Sequence, residues 1–177
     1  GILGTGLAVT TCNDLNNDGE ITVFDAALIN ACALRGDNYM VPSGGIHDYC
    51  SDLPSNVVNY DDSVTLRLGN IDYQNRTLDI EILNPDCRVK AYQFNVSGLV
   101  LTGASNLIPN AEFPNSVQVN STGTVIAVTT QDSAIGKSLS YRPLCRLQFA
   151  SVNSGLICLD QIVDIMNAEY EGVSTVI

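Results

Sequence analysis

Six oxygen-bearing residues alternate through the stretch DLNNDGEITVFD: Asp14, Asn16, Asp18, Glu20, Thr22 and Asp25. Counted from Asp14, they occupy the ligand positions of a twelve-residue calcium loop, with Glu20 contributing its backbone carbonyl. Gly19 falls at the sharp turn, where a positive φ is needed. Ile21 falls where such loops tuck an apolar side chain inward. Alternate spacing matters because a curled backbone must aim successive side chains at one ion. Hard oxygen donors without sulfur or imidazole suit Ca2+ over transition metals. Mg2+ resists dehydration into an all-protein cage and fits less well. The competing reading is a solvated turn rich in Asp and Asn. No nucleophile lies nearby in sequence, so the expected role of the ion is structural.

Other residues able to do chemistry are few. The six cysteines (Cys12, Cys32, Cys50, Cys87, Cys145 and Cys158) include no CxxC pair, and His47 is the one histidine. Clustered zinc sites are therefore disfavoured. An even number of widely spaced cysteines predicts up to three disulfides in an oxidising compartment, with connectivity open. Buried free thiols are the alternative. Three N-x-S/T triplets offer glycan acceptors at Asn75, Asn95 and Asn120. Asn75 and Asn120 fall at expected turns, and Asn95 on the polar side of a strand pattern. The pairs Asp61/Asp62 and Asp160/Asp164 could imitate a glycosidase dyad, but read better as outward strand and turn residues. His47 reads as a solvated loop residue. We expect no enzyme.

The elements that must position these groups follow from periodicity. Gly1 to Thr11 alternates Leu3, Leu7 and Val9 against Gly4, Gly6 and Ala8, a strand pattern. The stretch lacks the basic start of a signal peptide, so the chain reads as a mature form. After the loop, Phe24, Ala27, Leu28, Ala31 and Leu34 recur at helical spacing and Gly36 is a stop signal. Residues 36 to 62, rich in Gly, Pro, Asn and Asp, read as a long tethered connection. From Ser63 the period becomes two: SVTLRLGNI, RTLDIEIL, AYQFNVSG, SVQVN, TVIAVTT, PLCRLQFA, LICLDQIVDI and GVSTVI. Eight or nine short strands with turn signals between them predict an antiparallel β-sandwich. The expected organisation is an N-terminal strand at 1–11, a calcium loop-helix with its connection at 12–62, and a sandwich at 63–177.

The chain has 177 residues, 45% of them hydrophobic, enough for one substantial core. Nineteen acidic residues against eight basic give a formal charge of -11. Such a surface repels phosphate backbones and anionic membranes, so neither nucleic acid nor membrane insertion is expected. No apolar run reaches a membrane-spanning length. Together these features point to a secreted glycoprotein.

The stretch NDLNNDGEITVFDAALINACAL resembles one loop-helix repeat of a type I dockerin, a family whose calcium loops also end in Asp. Such dockerins carry two repeats, and this chain shows one. The region from Ser63 onward resembles a cohesin, most of all in CRVKAYQFNVSGLVLTGAS and PLCRLQFASVNSGLICLDQIVDIMNAE. The resemblance implies a mainly β, cohesin-like jelly roll preceded by a small EF-hand-like calcium loop-helix. Two functions follow. The first is a structural subunit that assembles head to tail as a homo-oligomer or filament, its N-terminal strand added to a neighbour's sheet. The second is an adhesion module for a dockerin-like protein or a carbohydrate.

Overall fold

The computed structural model describes residues 14–15, 19–35, 39–40, 46–47, 58–114, 116–129 and 133–177. The expected strand at 1–11 lies outside them. One helix, α1 (Val23–Arg35), precedes a two-residue strand pair, β1 (Tyr39–Met40) and β2 (Ile46–His47). The remaining strands are β3 (Val58–Asp72), β4 (Thr77–Asn84), β5 (Val89–Ser97), β6 (Leu99–Asn106), β7 (Gln118–Val119), β8 (Thr124–Val128), β9 (Ser138–Val152), β10 (Cys158–Asn167) and β11 (Gly172–Val176). β3 starts at Val58, inside the stretch read as connection. β6 is absent from the strands expected from the sequence.

The nine strands β3 to β11 form one continuous ladder in the order β6-β9-β4-β3-β11-β10-β5-β8-β7. The ladder curls until its end strands, β6 and β7, come against each other. Two walls result, β6-β9-β4-β3 and β10-β5-β8-β7, with β11 bridging them. This bridge departs from the all-antiparallel expectation. β11 pairs antiparallel with β10 but parallel with β3, Thr175 facing Val64 and Val176 facing Thr65.

Alternation sets the core. Along β4, Leu78, Ile80 and Ile82 are buried while Thr77, Asp79 and Glu81 lie outward. Leu144, Leu147 and Phe149 of β9 join them on the same wall, and Tyr92, Phe94 and Val96 of β5 meet them from the other. Tyr92 stacks on Phe94 and on Phe113, with ring centroids 5.9 Å apart in each case. Burying each large side chain contributes about 1.5–3 kcal/mol. Two tight turns need glycine. A Cβ on Gly98 (φ 84°) would sit 2.2 Å from the Leu156 carbonyl oxygen, and one on Gly123 (φ 103°) 2.0 Å from that of Val96.

The outer side of β5 is also covered. α1 lies across β5, β8 and β10. There Val23, Phe24, Ala27 and Leu28 pack on Ala91, Ile126, Met166 and Tyr170 as a second apolar cluster, apart from the main core. That is why Val89 to Tyr92 are buried without interruption.

The expectation of disulfides fails at three positions: Cys87, Cys145 and Cys158 are free. Cys87 precedes β5 and Cys158 opens β10. These strands run antiparallel with Val89 facing Asn167 and Ser97 facing Cys158, which puts the two thiols at opposite ends of the pair. At roughly 3.4 Å per residue the separation exceeds 20 Å, far beyond disulfide reach. Cys145 points into the core beside Tyr92. Cys32, on α1, is disulfide-bonded. Cys12 and Cys50 lie outside the described residues.

Candidate functional site

The loop before α1 is held by its own carboxylates. Asp14 and Asp25 are both buried. The Gly19 N–H donates to Asp14 Oδ2 (3.0 Å), closing the loop at the expected glycine, whose φ is 89°. Asp25 accepts two backbone N–H groups, from Leu15 at Oδ1 (2.7 Å) and from Thr22 at Oδ2 (2.8 Å). The first of these bonds brings Asp14 and Asp25, eleven residues apart, to one place. The second is half of a capping box. Thr22 is the N-cap, its Oγ1 accepting from the Phe24 N–H (3.1 Å), and Asp25 reaches back from the first turn. A carboxylate there also complements the positive end of the helix.

Three bonds tie this unit to the sheet. The Thr22 hydroxyl donates to Asp164 Oδ2 on β10 (3.0 Å). The Val23 N–H donates to Gln93 Oε1 on β5 (3.0 Å). The Asn30 amide donates to the Thr129 carbonyl just beyond β8 (2.9 Å). Gln93 is a site residue that sequence reading missed, and Asp164, read there only as half of an imitation dyad on an outward strand row, is a second anchor of the helix. Their outward position in period-two strands was legible, but nothing in the sequence said that a helix would cover them.

Of the six residues expected around a cation, the fold brings Asp14, Thr22 and Asp25 together, all buried. Glu20 is exposed, which suits a residue contributing its backbone carbonyl. Asn16 and Asp18 lie outside the described residues. The carboxylate oxygens of Asp14 and Asp25 are hard donors and fit calcium. The Thr22 hydroxyl, engaged with Phe24 and Asp164, fits that role less well.

The remaining expected residues are dispersed. Asn75 sits in the exposed β3–β4 turn, where its side chain donates to Asp72 Oδ2 (2.7 Å). The Asn75 backbone N–H, and after it that amide, hold the Asp72 carboxyl below its ordinary value. Asn120 opens the β7–β8 turn and its Oδ1 accepts from the backbone N–H groups of Thr122 and Thr124. Asn95 lies on β5, half-buried, on the strand's outward row. His47 lies in β2. The carboxylates that could have formed a dyad are engaged elsewhere: Asp160 accepts from the Ser97 hydroxyl (2.8 Å), Asp164 from Thr22, and Asp62 from the Asn167 amide (2.9 Å).

A surface cleft of about 350 Å³ opens between β3 and the β9–β10 turn, walled by Leu68, Ile71, Tyr73, Val152, Leu156 and Ile157. Tyr73, Val152 and Leu156 project into solvent. A second cleft gathers Asp62, Asp86, Glu169 and Glu171 around Asn167.

Among solved structures, the chain is similar to a cohesin. That structure is a non-cellulosomal cohesin from the hyperthermophilic archaeon Archaeoglobus fulgidus, 14% identical over 68% of this chain and 84% of that one, with a TM-score of 0.36. A likeness that loose carries no weight for function. No protein-family model and no curated protein matches the chain.

Proposed function

We propose that the chain is a non-enzymatic structural subunit of a secreted assembly, in which a calcium-set joint fixes how the N-terminal segment leaves the sheet. The observation that carries this reading is the double anchoring of the loop before α1. Asp14 and Asp25 gather its backbone from within, and Thr22, Val23 and Asn30 bind it to β10, β5 and the end of β8. Two buried carboxylates in one loop repel each other, and Ca2+ held by Asp14, Asn16, Asp18, the Glu20 carbonyl, Thr22 and Asp25 would turn that repulsion into cohesion. The residues before Asp14 would then emerge in one fixed direction, as head-to-tail addition of an apolar strand requires. Glycans at Asn75, Asn95 and Asn120 belong to the same extracellular setting.

Chelation tests the joint. With calcium removed, amide exchange in residues 19–35 should accelerate while β4, β5 and β9 keep their protection, and calcium should reverse it. Simultaneous loss in loop and sheet, or no response in either, would show that no such joint exists. A second reading, docking of a dockerin-like protein, is favoured by the apolar cleft between β3 and the β9–β10 turn. Under it, Tyr73→Ala with Leu156→Ser should abolish partner capture without changing the subunit's own oligomeric state.

A further inference from the structure

We propose that the acceptor for head-to-tail addition is the unpaired side of β6, at its seam with β7, and that its occupant is residues 1–11 of a second copy of this chain. The proposal rests on the structural-subunit reading above and names where the contact forms. β6 pairs with β9 on one side. Among the described residues, no strand pairs with its other side, and the ladder ends there. The sequence of β6, LVLTGASN, holds no charged residue and no proline. Sheet edges are ordinarily guarded by charge, proline or covering segments, because a row of unused N–H and C=O groups recruits another strand. β7 lies against this side without pairing to it, and the register is irregular around Thr102, which has no partner on β9. From Gly103 to Asn106 the register with Gln148 to Cys145 is regular again.

The donor matches in length and pattern. Eight residues of β6 span about 27 Å, and eleven extended residues cover that with excess. GILGTGLAVTT is itself uncharged. Laid beside β6, its Leu3, Leu7 and Val9 would continue the inward row begun by Leu99 and Leu101. They would enter the seam between β6 and β7, where Ala104 and Val119 are only partly buried. Gly4, Gly6 and Ala8 would form the flat outer row, and the glycines would let the added strand follow the bend at Thr102. β7, two residues long and paired among the described residues with β8 alone, would have to move away from β6 to admit it.

The test is amide exchange on the full chain with calcium present, at low and high protein concentration, alongside sedimentation. Assembly should grow with concentration, and exchange in residues 99–106 should slow with it. Thr102→Lys with Ser105→Lys, both at exposed positions, should abolish that slowing and the assembly together while leaving the melting temperature in place. Assembly without slowing at β6 overturns the proposal but leaves the structural-subunit reading standing. Slowing that survives deletion of residues 1–11 overturns the named occupant. A full chain that stays monomeric at every concentration overturns the reading and the proposal together.

Discussion

Replacing Asp25 by alanine should release α1 without unfolding the sheet. Asp25 is fully buried, and its two carboxylate oxygens accept the N–H groups of Leu15 and Thr22 at 2.7 and 2.8 Å. A hydrogen bond to a charged group contributes about 1.5–3 kcal/mol, and a buried donor left unsatisfied costs a similar amount. Taking the lower end for each bond gives about 3 kcal/mol, or roughly a hundredfold in an opening equilibrium. The loss should stay local, because α1 packs in its own apolar cluster, separate from the core between the walls. Native-state amide exchange reads this directly. Amides of the later turns of α1 should exchange roughly a hundredfold faster in the variant, while those of β4 and β9 hold. Asp25→Asn, which keeps one acceptor oxygen, should fall between the two. The reasoning is refuted if helix and sheet amides accelerate by the same factor, or if α1 changes by less than about threefold.

Gly123→Ala and Gly98→Ala should each lower the denaturant midpoint sharply, since the new Cβ would meet backbone oxygen at 2.0 and 2.2 Å. Gly19→Ala has open space around it and should show only the left-handed backbone penalty of about 1–2 kcal/mol. Burial pushes the Cys145 and Cys87 thiols up to about 12, so both should resist alkylation at pH 8 while half-exposed Cys158 reacts; mass spectrometry after brief labelling decides. The same shifts carry a stability term. The folded chain holds these protons more tightly than the unfolded one, so their contribution is complete below the ordinary thiol value of 9.0 and is lost as pH rises toward 12, visible as a falling melting temperature over that window. Arg146 and Asp79 form a bidentate cross-strand pair at 2.6 and 2.9 Å, but the arginine is well exposed, so Arg146→Ala should barely move the melting temperature and what effect there is should shrink in high salt.

Much of this molecule can be read locally. Period-two alternation in TLDIEIL places Leu78, Ile80 and Ile82 inside, and helical spacing in VFDAALINACALR marks α1 with its boundaries, because each pattern is set by neighbouring residues alone. The sharp turn at Gly19 was legible for the same reason, since it is set within one short stretch. β6 did not announce itself. After Leu99 and Leu101 its residues are small and uncharged, and a register irregularity at Thr102 breaks the alternation that identifies a strand.

What the sequence could not determine is what lies opposite. Periodicity says which side of a strand faces inward but not which strands become neighbours, so the parallel union of β11 with β3, the last and first strands of the large ladder, came only with the fold. Gln93 and Asp164 are 70 and 142 residues from the groups they hold. The free state of Cys87, Cys145 and Cys158 is decided likewise, because an even number of cysteines permits bridges while only their placement at opposite ends of a strand pair and inside the core forbids them. Local chemistry wrote the loop, the helix and the alternating strands. The burial of distant surfaces against one another chose the wall on which the helix rests and the strands that meet where the ladder closes.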